Sequence, residues 1–354
     1  MIARFPRVSP LLLSALAFLC VPLPALAHHS VAGFFDANTQ VEIAGVISRV
    51  RWRNPHTVFI VDVTDDDGTV TEWKIESGAL GVLRSRGLAR EFVQVGDEVK
   101  ILGDKSLRGR PEMFARNMLL ANGQEVLLTV GSNAHFTRQE EGGLLEAEFD
   151  PEIVAAARAN ANGIFRVWST NFAARRRGPR PRMFTGGYPL KPEAKAIQEQ
   201  YDAGDTALLG CFDWTMPRLM ANPLPVEFID QGNSILVKFE ENDERRVIYL
   251  DDTEAPGELT RMGFSTGRWE NGSLIVETTG ITPERLDNLG TPFSDEIRLL
   301  ETFTVVDDGN QLNYNVQVSD PNTFTESFEE SRFWEWRPEI VVGAYICEQD
   351  QNLQ

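Results

Sequence analysis

The residues best suited to chemistry in this chain begin with a few histidines. There are four: His28, His29 and His56 come early, and His135 is the last. Residues 1–27 read as a secretory signal peptide. Arg4 and Arg7 give a positive start, Leu11 to Val21 an apolar stretch too short to span a bilayer, and Ala25-Leu26-Ala27 a small-x-small cleavage pattern. Cleavage near Ala27 would leave His28 with a free α-amine beside its imidazole. That pair chelates a metal, and a third nitrogen from His56 would complete a set suited to Cu(II). The plainer reading is two solvated terminal histidines and a His56 that opens a strand behind Asn54-Pro55. No metal spacing rule is met, so the plainer reading stands ahead of copper. The region beyond His135 has no histidine at all, which argues against a zinc enzyme.

Carboxylates are the next candidates. Glu270, Asp287 and Glu301 sit among aromatic and basic residues in a β-rich region, and a buried one could act as acid or base with a pKa set by its surroundings. Structural ion pairs across strands are the commoner outcome in so acidic a chain. The string Gly263-Phe264-Ser265-Thr266-Gly267 fits G-x-S-x-G. A nucleophile elbow needs a strand–turn–helix context and a downstream histidine, and this segment runs into a hairpin with neither. Asp65-Asp66-Asp67-Gly68 is too short for a calcium loop and reads as a turn. The basic run Arg175 to Arg182 reads as a solvated loop, with an anionic ligand as the sharper alternative. Late aromatics could instead line a cavity for one small ligand. Phe264, Trp269, Phe293, Trp334 and Trp336 are the lining candidates, and Arg246 and Arg268 the polar anchors.

The elements that must position these residues read as β-structure in two units. From Val41 to Val130, three strands, a short helix over Gly78 to Arg86 and two more strands follow the order of an OB-like five-stranded barrel. Residues 131–162 form a partly helical linker, with an alanine-rich helix after Pro151. The second unit, residues 163–354, holds one helix over Lys191 to Asp202 and then consecutive strands with short turns: PVEFID, SILVKFEE, RRVIYLD, TGRWE, SLIVETTG, EIRLLETFTVV, LNYNVQVSD, ESRFWEWR and IVVGAYICE. This order predicts an antiparallel, lipocalin-like up-and-down β-barrel of about eight strands, since closure removes exposed edges. The fold class is therefore all-β: a small barrel over residues 28–130 followed by a larger one.

Composition sets the setting. The net charge of -18 becomes about -20 once the leader is removed, which disfavours nucleic acid and anionic lipid as partners. No second apolar run approaches a membrane helix, so membrane insertion is not expected. Cys211 and Cys347 remain after cleavage, and in an oxidising compartment an even pair reads as a disulfide. The expectation is a periplasmic or secreted protein.

The segments HHSVAGFFD, RNPHTVFIV, VTEWKIES, LRSRG and VGDEVKI resemble an exported bacterial family of unknown function whose mature chain opens His-His-Ser. The stretches MPRLM, RRVIYLD, GFSTGRWENGSLIVETTG, LDNLGTPFSDE and the terminal Cys347-Glu348 resemble a second domain often fused to it. The resemblance implies export and architecture without a settled activity. It also implies histidine in relatives where Phe264 and Phe293 stand here, so any metal or proton chemistry at those positions would be missing from this chain. Two phenylalanines there suit an apolar ligand. The leading expectation is thus a small apolar molecule in the second barrel. The alternatives are a barrel enzyme of cyclase, isomerase or hydratase type using Asp287, Glu301 or Glu270, and copper at His28, His29 and His56.

Overall fold

The computed structural model describes residues 34–88, 92–129, 132–137, 143–145, 148–170, 182–201, 214–251, 253–255, 257–345 and 347. The first unit contains β1 (Phe35–Arg51), β2 (Val58–Thr64), β3 (Val70–Glu76), the single-turn helix α1 (Leu80–Arg84), β4 (Glu98–Ser106), β5 (Glu112–Leu120) and the short β6 (Glu125–Leu127). Antiparallel pairing runs in the order β3-β2-β1-β4-β5-β6, and a further parallel pairing joins β3 to β5. That last pairing closes the ring β1-β2-β3-β5-β4, the strand order expected of an OB-like barrel. Ile43, Ile47, Phe59, Val61, Ile75, Ile101, Met113 and Met118 fill its interior, with Leu83 of α1 packed against them.

After α2 (Pro151–Ala159), whose N-terminus is capped by the Asp150 carboxylate, the second unit begins with β7 (Val167–Ser169) and α3 (Pro192–Glu199). Eight further strands follow: β8 (Val226–Asp230), β9 (Ser234–Phe239), β10 (Arg245–Tyr249), β11 (Phe264–Glu270), β12 (Ser273–Thr279), β13 (Arg298–Val306), β14 (Gln311–Ser319) and β15 (Phe328–Trp336). Together with β7 they form a closed nine-stranded barrel in the order β10-β11-β12-β13-β14-β15-β7-β8-β9. Two corrections to the expectation follow. IVVGAYICE is not a barrel strand; the three residues of β7 occupy the place between β15 and β8. The meander is also interrupted once, because β10 and β11 pair in parallel through Ile248↔Ser265 and Tyr249↔Thr266. An odd ring cannot alternate direction all the way round, so nine strands force one parallel pair. β10 ends at Tyr249 and β11 starts at Phe264, which leaves the chain length that the crossover of such a pair needs.

Burial alternates along the strands as a barrel wall requires. In β14, Leu312, Tyr314, Val316 and Val318 are buried while their neighbours are not. Among the described residues, inward-facing aromatic rings fill part of the interior. Phe228, Phe303, Tyr314 and Trp334 form a column of neighbouring rings, with successive centroids 5.4, 4.9 and 5.5 Å apart. Each such fully buried side chain contributes about 1.5–3 kcal/mol. Among the described residues no helix is long and apolar enough to cross a membrane.

Candidate functional site

Among the described residues, two polar groupings stand out in the second unit. The first is a saturated ion pair at the middle of the large barrel. Arg246 on β10 is 1% exposed and Glu301 on β13 is fully buried. The Arg246 Nη1 donates to Glu301 Oε1 at 3.0 Å, and its Nη2 donates to Oε2. Arg246 Nε donates to Ser265 Oγ at 3.0 Å and Nη2 to Thr278 Oγ1 at 2.7 Å. The hydroxyls of Thr278 and Tyr314 complete the carboxylate's shell at 2.8 and 2.9 Å. Burial, then the neighbouring Glu301 charge, pushes the Tyr314 hydroxyl well above its ordinary range. A charge pair can sit in an apolar interior when the carboxylate oxygens and nearly all the guanidinium donors are met in this way.

This network also explains the G-x-S-x-G string. Gly263 has φ +67°, and a Cβ there would lie 2.7 Å from the Thr279 carbonyl. Ser265 belongs to the arginine's shell, and Gly267 makes room for Ile248, which would sit 2.7 Å from an added Cβ. Its residues are needed for strand entry and packing.

The second grouping borders a small cavity beside β8, β9 and β15, with room for about one water-sized guest. Its lining is apolar (Leu219, Leu224, Pro225, Val226, Phe239 and Trp334) with Asn222 and Glu241 as the polar members. Each wall is held by identifiable contacts. Asn222 follows a 3-10 turn, Arg218–Ala221, accepts from the Leu224 N–H at 2.8 Å, and donates to Glu241 Oε2 at 2.7 Å. Glu241 stands in the β9–β10 turn, where Asn242 and Asp243 adopt φ +54°, a conformation that Asn and Asp tolerate better than most residues. Arg332 on β15 donates to the carbonyls of Met220 and Asn222 at 2.8 and 2.9 Å while its guanidinium lies 4.5 Å above the Trp334 ring. Burial brings this arginine down to about 10.

Glu241 is 7% exposed, and burial raises its carboxyl to about 7 despite hydrogen bonds from Tyr345 and Asn222, with the adjacent Glu240 adding to the rise. Glu240 turns the other way, toward the small barrel. Its Oε2 lies 2.6 Å from Arg84 Nη2 of α1 and accepts from the Gly343 N–H at 3.1 Å. Arg337 reaches the Ser85 carbonyl at 2.8 Å, and Cys347 bridges to Asn54. The C-terminal segment read as a strand thus runs between the two units and covers the acid pair.

The sequence-derived residues scatter around this framework. Trp334 lines the cavity. Arg246 and Glu301 form the saturated pair, with no acceptor of Glu301 left for a substrate. Asp287 is 2% exposed and accepts from the Leu289 and Thr291 N–H groups and the Thr291 hydroxyl, closing a turn. Phe293 is packed in the core, and Phe264 stacks on Tyr249 at 5.3 Å. Trp336 lies under the Arg166 guanidinium at 4.5 Å. Arg268 and Glu270 pair at 3.4 Å on the exposed surface, and Trp269 is 49% exposed there. Glu241 was missed by sequence reasoning. Its only signal was the acid pair ending SILVKFEE, which by itself reads as a solvated turn.

In the small barrel, His56 Nδ1 lies 3.0 Å from Glu76 Oε2, and Lys74 Nζ lies 3.1 Å from Glu76 Oε1. Burial pushes the Glu76 carboxyl up, but His56 and Lys74 outweigh it and hold the group below its ordinary range. His28, His29 and Cys211 lie outside the described residues. Among the described residues no cluster of three His, Cys, Asp or Glu side chains is arranged to hold a metal. His135 is exposed beside Glu42 at 3.2 Å.

Residues 16–113 match the model of a family described as a family of unknown function (DUF6152), which spans most of the small barrel. No curated protein matches the chain.

Proposed function

We propose that the protein binds a small, largely apolar molecule in the cavity beside Trp334. The observation that carries this reading is the lining itself: six apolar side chains around two convergent polar ones, Asn222 and Glu241, which is the usual composition of a small-molecule site. The space between them holds about one water-sized group, so a ligand of a few heavy atoms enters only as the lining side chains give way. The lining departs from the aromatic set expected from sequence and keeps only Trp334 of it. Export belongs to the same proposal: cleavage near Ala27, a periplasmic or secreted location, and a disulfide between Cys211 and Cys347. The test is organic extraction of full-length protein purified from the producing cell's exported fraction, followed by mass spectrometry. A stoichiometric small apolar compound, depleted by Leu224→Trp, is the expected result. Extracts that match those of the Leu224→Trp variant would overturn the reading.

A second reading, copper at the mature N-terminus, is favoured by one geometric fact. Glu76 engages His56 Nδ1 and so orients the ring with Nε2 available, as carboxylates do behind metal-bound histidines. Phe35 also packs on Phe114 at 5.9 Å, and Phe114 on His56 at 5.8 Å, so the start of β1 lies near this ring. Copper titration of processed chain should give one tight site that is lost in His56→Ala and in chain with a residue added before His28. Equal affinity in all three would refute it.

A further inference from the structure

The outer wall of the large barrel over β12 to β15 has a centre without charge. Strand register sets Ser273, Thr304 and Asn313 in one row across the sheet. Ile275, Thr302, Asn315 and Ser331 form the next row, and Leu300 and Gln317 lie side by side in a third. The residues that alternate with them, among them Leu274, Glu301, Tyr314 and Trp334, are buried in the barrel, so these rows face outward. Each of their members is exposed or half-exposed. Charge returns at the borders, with Arg268 and Glu270 on β11, Glu277 on β12 and Glu329 on β15. The chain is 24% charged, and charged residues concentrate at surfaces, so this gap belongs to the wall and not to the composition.

Thr302, Thr304, Asn313, Asn315, Gln317 and Ser331 end in hydroxyl or primary amide groups, which donate and accept at once. Some of that capacity is spent locally. Ser273 Oγ and Thr304 Oγ1 bond at 2.7 Å, and Gln311 Nε2 donates to Asn313 Oδ1 at 2.7 Å. Among the described residues, the side-chain polar atoms of Thr302, Asn315, Gln317 and Ser331 have no protein partner. Strand spacing and the two-residue repeat spread the patch over about 14 Å in each direction.

The chemistry of the patch selects its occupant. An anion offers only acceptors and a cation only donors, whereas this wall presents both, interleaved. The net charge of -18 also repels polyanions. Protein partners favour aromatic residues, Met and Arg at the centre of an interface and avoid Ser, which is the reverse of this lining. A chain of uncharged sugars matches it: every hydroxyl both donates and accepts, and the C–H faces of the rings can rest on Ile275 and Leu300. We propose that the outer face of β12 to β15 binds a neutral polysaccharide through these amide and hydroxyl side chains.

The test is native electrophoresis of the full-length protein in gels cast with laminarin, xylan, galactomannan or dextran, and with anionic alginate. At least one neutral polymer should retard the protein, and alginate should not. Asn315→Ala should weaken that affinity about tenfold, the worth of one hydrogen bond. Thr302→Glu sets a charge beside it and should abolish retardation, while Glu227→Ala on β8, in another part of the wall, should leave it unchanged. Both test positions are at the surface and on different strands, so a folding defect in one variant leaves the other to decide. Migration unaffected by every neutral polymer, or retardation that survives both substitutions, would overturn the inference. So would a concentration-dependent dimer that Thr302→Glu dissociates, since a second copy of the chain would then occupy the face.

Discussion

Glu241→Gln replaces the carboxyl group on the cavity wall by an amide of nearly the same shape, and so removes a titration while its contacts to Asn222 and Tyr345 can still be made. Burial raises this carboxyl from its ordinary 4.5 to about 7. Between those pH values the folded protein holds a proton that the unfolded chain has released, so stability falls as pH rises through the window. Above it the folded state carries a buried carboxylate at a cost of about 3 kcal/mol, the free-energy equivalent of the interval. Below pH 4.5 the group is protonated in both states and contributes nothing to the slope. The variant should therefore match the wild type at pH 4 and exceed it by about 3 kcal/mol at pH 8. In urea, at a slope of about 2–3 kcal/mol per molar, this displaces the midpoint by about 1–1.5 M. Tryptophan fluorescence follows the barrel directly, because Trp168 and Trp334 are both in its core. Equal midpoint displacement at the two pH values would show that Glu241 does not titrate in this window. A variant less stable than wild type at pH 8 would show that its charge is favoured by the fold, and the account of the cavity wall would fail.

Three further outcomes follow from the same geometry. Glu301→Gln should lose about 3–5 kcal/mol in equilibrium unfolding, because it leaves the Arg246 charge buried without its partner; Arg246→Met combined with Glu301→Leu should recover part of that loss. Arg84→Ala should cost about 1–2 kcal/mol and separate the unfolding transitions of the two units in calorimetry. That figure is below the value for a fully buried pair, since Arg84 is 40% exposed. Gly263→Ala should lower stability by about 1–3 kcal/mol, as it needs φ +67° and sets a Cβ against the Thr279 carbonyl; a melting temperature equal to wild type would contradict the strand-entry role.

Much of the architecture was legible because period-two alternation is local. The segments LNYNVQVSD and EIRLLETFTVV place alternate residues on one face, and β14 and β13 form there with those residues buried. The order of three strands, a helix and two strands was enough to anticipate the small barrel's closure. IVVGAYICE misled because its apolar pattern serves a different purpose. Val342 is buried and Gly343 bonds to Glu240, so the segment spends its apolar face on a junction between units and not on a barrel wall. The G-x-S-x-G string could be set aside from its hairpin context, but its own reason appeared only when Ser265 was seen against Arg246.

Sequence alone therefore determined the all-β class, the two successive barrels, the polar turns and the absence of a histidine-based site in the larger barrel. These depend on neighbours in the chain. The tertiary structure decided which carboxylates matter. Glu301 lies inside a closed hydrogen-bond shell, Glu270 faces outward, and Glu241, one turn residue among many acidic ones, is buried by Asn222 and by a tail that returns from the C-terminus. The pKa of a carboxyl group follows from its burial and its partners, and for Glu241 those partners come from opposite ends of the second unit. Ring closure with nine strands is likewise a property of how distant strands meet.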